Sequence, residues 1–207
     1  TVGCRGARRG MILSGQGYVK GQNAVVFGSG TIGIAAAVAF KYFGMKKVMI
    51  CDYSAYRLEI AKKLGFETCN LQVDDFINHA KEYFGMAYSL NGLTANIDCW
   101  LDAAGAKSIL DDFLKLGKIE SRFVSVAVNK EPRSIDLLHM TYAQQSIIGS
   151  GGYMKEDVDD VQEIMACGKW NLESMITHEF PLEQLDQALY KASDVNNSLN
   201  VIIKMKK

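Results

Sequence analysis

Runs of apolar residues four to six long alternate with stretches of helical periodicity through the first three quarters of this chain. Asn23-Ala24-Val25-Val26-Phe27 is continuously apolar, the pattern of a strand covered on both faces. Ile34 to Phe40 then reads as a buried helix, and Lys47-Val48-Met49-Ile50-Cys51 as a second strand. Leu58, Ala61 and Leu64 share a helix face that Gly65 closes, and Glu67 to Asn70 predicts a short strand. Phe76, Ile77, Ala80 and Phe84 mark the next amphipathic helix, and residues 88–96 read as a loop. Ile97 to Asp102 predicts a buried strand ending in the small-residue turn Ala103-Ala104-Gly105. A helix through Ile109, Phe113 and Leu116 follows, then strands over 123–128 and 146–149. Strands alternating with helices predict an α/β fold with a doubly wound, parallel six-stranded sheet, the Rossmann arrangement.

The rhythm changes after Gly149-Ser150-Gly151-Gly152. Val158, Val161 and Met165 line one face of a helix that ends before Gly168. A strand over 175–177, a helix opening at Pro181 with Leu182, Leu185 and Leu189, and a strand over 199–204 complete the chain. This α+β tail is too small to bury a core of its own. The predicted organisation is therefore a lead-in helix over 1–20, a dinucleotide-binding domain over 21–150 and a C-terminal segment over 151–207.

The turn between the first strand and its helix reads Gly28-Ser29-Gly30-Thr31-Ile32-Gly33. The three glycines differ in what they permit. Gly28 allows a tight turn, Gly30 a close approach of backbone to a pyrophosphate, and Gly33 close helix–strand packing. The helix N-terminus then presents free N–H groups and a positive dipole end to an anion. Asp52 closes the second strand nineteen residues beyond Gly33, the place where a carboxylate meets an adenosine ribose. Such an acid accepts from the ribose hydroxyls and repels a 2′-phosphate, which selects NAD. Tyr53 follows it, and Arg57 lies one helical turn further, close enough to bear on the choice between NAD and NADP. Ligands of open α/β sheets lie beyond the C-terminal strand ends, which brings in Ala104-Gly105 and Val126-Ala127-Val128.

Composition narrows the classes. Lysine plus arginine equals aspartate plus glutamate at 23 each, so no bulk charge draws the chain to nucleic acid or a membrane surface. The group Arg5, Arg8 and Arg9 reads as a solvated helix face. The most apolar stretch, Ile32 to Phe40, is far below the roughly 20 residues of a membrane span. Five scattered cysteines without a C-x-x-C pair indicate reduced thiols and a cytoplasmic setting. The three histidines, His79, His139 and His178, stand at no ligand spacing with a cysteine, and no metal ligand is assigned to this chain.

In order, these motifs resemble the C-terminal part of the zinc-dependent medium-chain dehydrogenases, in the sorbitol, butanediol and threonine dehydrogenase branch. The resemblance is carried by residues 2–10, by Gly28 to Gly33 and by residues 52–58 with 61–65. Asp102 to Gly105, Ile148-Gly149-Ser150 and Ile176-Thr177-His178 with Pro181-Leu182 continue it. It implies NAD as cofactor, with backbone near Val126 to Val128 holding the nicotinamide and Ala104-Gly105 bordering it. It further implies a catalytic domain ahead of Thr1 that carries the zinc, an alcohol or polyol as small-molecule substrate, and a homo-oligomer. No catalytic acid or base is expected within this chain. The alternative is a dinucleotide-binding module without chemistry, a sensor or assembly partner. A methyltransferase shares the first glycine turn and the acid, but the third glycine and the tail speak against it.

Overall fold

The computed structural model describes residues 1–14 and 17–205. Helix α1 (Val2–Gly10) leads into two short antiparallel strands, β1 (Leu13–Ser14) and β2 (Gly17–Tyr18). The helix thus fills only the first half of the predicted 1–20 segment, of which residues 15 and 16 lie outside the described residues. The sheet is built from β3 (Asn23–Phe27), β4 (Lys47–Asp52), β5 (Glu67–Asn70), β8 (Cys99–Asp102), β9 (Arg122–Ser125) and β10 (Ser146–Gly149). Between them run α2 (Thr31–Tyr42), α3 (Ala55–Lys63), α4 (Phe76–Phe84), the strand pair β6 (Met86–Ser89) and β7 (Gly92–Ala95), α5 (Lys107–Leu116) and α6 (Leu137–Ala143). The spatial order is β10-β9-β8-β3-β4-β5, every neighbouring pair parallel. The chain starts in the middle, winds outward through β4 and β5, then crosses back to β8 and winds the other way. This is the doubly wound sheet the sequence predicts, with its switch point between β3 and β8.

Each β3 residue is buried, and the pleat divides them. Ala24 and Val26 enter a core with α1, α2 and Phe40, whereas Val25 and Phe27 face Trp100, Phe113 and Phe123. Helix α2 has buried side chains around most of its circumference because α1 covers the face that the sheet leaves free. That cover needs Gly3: a Cβ there would stand 2.3 Å from the Ile32 carbonyl oxygen.

Four elements depart from the sequence reading. Residues 88–96 fall in the β6–β7 hairpin, where Gly92 at φ +107° closes a tight turn. The Asn91-Gly92 pair is a hairpin signal that the loop reading passed over. Strand β9 stops at Ser125, three residues early, because the Val126 and Ala127 amides both donate to the Asp102 carbonyl oxygen. Helix α6 had no counterpart in the prediction; its N-cap is Asp136, which accepts from the Leu138 and His139 amides. Residues 172–175 form a 3-10 turn, so the strand β11 (Ile176–Pro181) begins later and Pro181 ends it.

The arginines of α1 also depart from expectation. Arg8 is mostly covered; its Nε donates to Asp157 at 2.7 Å, its Nη1 to the Tyr18 hydroxyl at 2.8 Å, and a further nitrogen meets Asp160. Asp157 is fully buried on α7 (Lys155–Ala166). A mostly covered arginine facing a buried carboxylate survives because partners satisfy its fixed fork of donors. Arg122 is likewise buried, with Nε on the Gly10 carbonyl at 2.9 Å. The two arginines fasten α1 to α7 and to the sheet. On α7 the predicted Val161 packs on the core, joined by the buried Ile164, and Met165 is exposed.

The tail ends in α8 (Leu185–Ser193) and β12 (Asn200–Lys204), with β11 and β12 forming a separate parallel pair. Leu182, Leu185 and Leu189 are exposed, and Ala188 alone on α8 is buried.

Gly3→Ala is expected to lower the urea midpoint by the equivalent of about 1–3 kcal/mol, because α1 must lift from α2. Gly151→Ala, with nothing within 4 Å of the added atom, should stay within about 0.5 kcal/mol of the parent.

Candidate functional site

The strand-to-helix turn is set by hard contacts. Gly28 has φ +100°, and its missing side chain faces the backbone of Ala103 and Ala104 at 3.2 Å. A Cβ on Gly33 would fall 1.8 Å from the Gly28 carbonyl oxygen, so the helix can sit this close to its strand only with glycine there. Gly30 differs from both. Nothing lies within 4 Å of its would-be Cβ, and Thr31 and Ile32 beside it are exposed. The first turn of α2 therefore opens to solvent with its N–H groups facing outward.

Asp52 ties this turn to the next strand. One carboxylate oxygen accepts from the Ser29 amide at 2.5 Å and the Ser29 hydroxyl at 2.8 Å; the other accepts from the Ser54 amide at 2.9 Å. Ser29 is wholly buried, so its orientation is fixed by this pairing. Three donors fill three of a carboxylate's roughly four acceptor positions and leave room for an external hydroxyl.

A cleft of about 320 Å³ lies beyond the C-terminal strand ends at the switch point. Phe27, Gly28, Cys51 and Asp52 form its floor, Tyr53 and Phe76 one wall, and Ala104 and Ile109 the other. Asp74 and Asp112 add carboxylates to the rim. Burial, with Asp111 close by, pushes the Asp112 carboxyl above the ordinary range.

The remaining sequence candidates divide. Asp102 is buried and accepts from the Ala104 and Gly105 amides at 2.9 and 2.7 Å, which shapes the 103–105 turn. Val126, Ala127 and Val128 lie beside that turn, with Ala127 3.3 Å from the would-be Cβ of Gly105. They do not line the cleft, and Val128 is almost fully exposed. Arg57 does not line it either; its Nε donates to the Ser198 carbonyl at 3.0 Å. Ser54 similarly donates to the Val195 carbonyl, and Thr31 Oγ1 meets Asn200 Oδ1. The 195–200 segment is thereby pinned beside the glycine turn, a long-range contact that residue spacing does not display.

One cluster escaped the sequence entirely. Cys69, Asp74 and His79 each bring a ligating atom within 4.8 Å of the others, a single such trio among the described residues. Cys69 closes on His79 because β5 turns sharply into α4. A hydrogen bond from Cys51, and another from His79, hold the Cys69 thiol below its usual range despite burial.

A family model for zinc-binding dehydrogenases matches residues 31–167. L-threonine 3-dehydrogenase from Pectobacterium carotovorum is 28% identical over 168 residues, 81% of this chain and 47% of that protein. In fold, the chain is similar to L-idonate 5-dehydrogenase from Escherichia coli, with a TM-score of 0.78 at 22% identity. That likeness covers 98% of this chain and 54% of the other. An alcohol dehydrogenase from E. coli CFT073, determined with NADH, superposes with a TM-score of 0.75 at 22% identity, over 97% of this chain and 57% of its own. The chain spans about half the length of the curated relatives it matches.

Two glycine variants separate folding from binding. Gly30→Ala should keep the parent's urea midpoint within about 0.5 kcal/mol yet weaken NAD binding at least about 10-fold, read by calorimetry. Gly33→Ala should lose several-fold more stability than Gly3→Ala, since its Cβ has no space at all.

Proposed function

The chain belongs to the zinc-binding dehydrogenase family, and we propose that it forms the NAD-binding part of an enzyme interconverting a secondary alcohol or polyol and a ketone. One observation carries the reading: the glycine turn, through Gly28, and the pinned carboxylate of Asp52 line the same cleft.

In this reading the ADP half of the cofactor occupies the cleft. The adenine lies between the Tyr53–Phe76 wall and Ile109, and the ribose hydroxyls donate to the open position on Asp52. The pyrophosphate rests over Gly30 against the amides of Thr31 and Ile32. Ser29 is a positioning residue, since it holds the carboxylate in place. Gly28 and Gly33 set the distance between strand and helix. Ala104, Gly105 and segment 126–128, exposed at Val128, lead the cofactor toward its nicotinamide end. When bound, NAD supplies hydride acceptance from an alcohol carbon.

Cofactor choice follows from charge. A 2′-phosphate at Asp52 would meet a like charge at about 4 Å, worth roughly 4 kcal/mol at an effective dielectric of 20 before screening. Asp74 and Asp112 on the rim add to the repulsion. Arg57, held by Ser198, is turned to the C-terminal segment and secures that segment instead of a phosphate.

Among the described residues one trio could hold a metal, and it does not fit the catalytic zinc of the family. The trio Cys69, Asp74 and His79 adjoins β5, four strands from β9 and so about 19 Å from the 126–128 segment where a nicotinamide would end. Zinc and most substrate contacts are assigned to a separate catalytic domain, against which α1 and the tail of residues 151–207 would pack. The exposed Leu182, Leu185 and Leu189 support such a cover. Residues 21–150 then form the nucleotide domain. The open edge at β10, beside the exposed Leu137, Leu138 and Tyr142 of α6, suits pairing into a homo-oligomer. Among the described residues no helix is long and apolar enough to cross a membrane. The free thiols suit a cytoplasmic setting.

Calorimetric titration should show NAD binding at least about 10-fold tighter than NADP, and Asp52→Ala should erase that preference. Equal affinity of the parent for both cofactors, or an unaltered preference in the variant, would remove Asp52 from its assigned role.

A further inference from the structure

We propose that Cys69, Asp74 and His79 form a binding site for a divalent cation of the Zn²⁺ type, separate from the chemistry of hydride transfer. The three residues come from consecutive pieces of chain. Cys69 stands on β5, Asp74 in the turn after it, and His79 on the first turn of α4. Their ligand atoms already lie within 4.8 Å of one another. Bond lengths of roughly 2.0–2.3 Å place tetrahedral zinc ligands about 3.5 Å apart. Side-chain rotation of about 1 Å therefore closes the site, with no rearrangement of backbone.

The surroundings are built as an outer shell. His79 Nε2 lies 2.7 Å from Glu67 Oε1, which orients the ring and leaves Nδ1 as its ligating atom. Asp74 Oδ2 accepts from the Asn70 amide at 2.7 Å, which leaves Oδ1 for the cation. Cys51 stands directly across from Cys69 in the β4–β5 register. Cys51 is fully buried in the same apolar cluster as Cys69. The cation arrives from solvent past the exposed Asp74, and water completes the fourth position.

The donor set decides the ion. One thiolate, one imidazole and one carboxylate favour Zn²⁺ or Co²⁺ over Mg²⁺ or Ca²⁺, which prefer all-oxygen sets. Binding releases the Cys69 proton to solvent and changes no oxidation state. Asp74 and Cys51 also line the cleft. An ion held here would brace the wall between β5 and α4 and offset part of the rim's negative charge. The site stands whether or not the cleft takes a dinucleotide.

The test is a Co²⁺ titration of the reduced, chelator-stripped chain, followed by displacement with Zn²⁺. The expected result is one equivalent of Co²⁺ with a near-ultraviolet thiolate-to-cobalt charge-transfer band. Cys69→Ser should abolish the band, and a Cys4→Ser/Cys167→Ser double variant should keep it. Asp74→Ala, at an exposed position that leaves the fold intact, and His79→Gln should each weaken binding about 10-fold or more. Circular dichroism of every variant separates loss of the site from loss of the fold. Absence of the band in the parent overturns the proposal. So does a band that follows Cys4 or Cys167, or Co²⁺ affinity unchanged in folded Asp74→Ala and His79→Gln.

Discussion

Everything at the C-terminal edge of this sheet depends on the contact between Gly33 and the carbonyl of Gly28. The distance is too short for any side chain, as the 1.8 Å to a would-be Cβ shows. With that contact made, α2 starts directly above the end of β3, and its N-terminal amides open onto the switch point. Were the helix displaced by the width of a methyl group, the turn could no longer bring Ser29 onto the Asp52 carboxylate. The open N-terminus of α2 and the pinned carboxylate of Asp52 are thus two consequences of one packing constraint.

A second constraint acts from the ends of the chain. Arg8 and Arg122 are charged groups held in covered positions by carboxylates, a tyrosine and backbone carbonyls. Breaking such a set by removing one partner leaves a buried charge uncompensated and costs about 3–5 kcal/mol. The first ten residues and α7 are therefore parts of one packed layer over α2. Beyond α7 the tail places Met175 and Leu199 in the main core and adds polar contacts from Ser54, Arg57 and Thr31 to residues 195–200. The leucines at 182, 185 and 189 still face solvent.

The fold was legible because its signals are local. A strand buried on both faces must be apolar throughout, and a helix this near its strand must begin with glycines, so both leave marks in consecutive residues. The glycine turn, Asp52 and the six strands were found on those grounds. What escaped was determined by residues distant in sequence. Arg8 read as a solvated cation because its partners, Asp157 and Asp160, lie about 150 residues away. Val126 to Val128 read as strand because nothing local shows that Asp102 turns their amides aside. The cleft's facing walls at Phe76 and Ile109 depend on where α4 and α5 settle on the sheet, and the trio at Cys69 on how α4 folds back beside β5. The β6–β7 hairpin and α6 carried local marks, Asn91-Gly92 and the N-cap Asp136, that could have been used.

In the proposal above, the turn over Gly28 to Gly33 holds the pyrophosphate and the carboxylate of Asp52 the adenosine ribose of one dinucleotide. A crystal structure of the chain with NAD tests it most directly. The account predicts the pyrophosphate above Gly30, within hydrogen-bond distance of the α2 amides, and the adenosine ribose on Asp52 within the cleft. NAD bound elsewhere, or a ribose turned away from Asp52 with the Ser29 and Ser54 contacts unchanged, would contradict it.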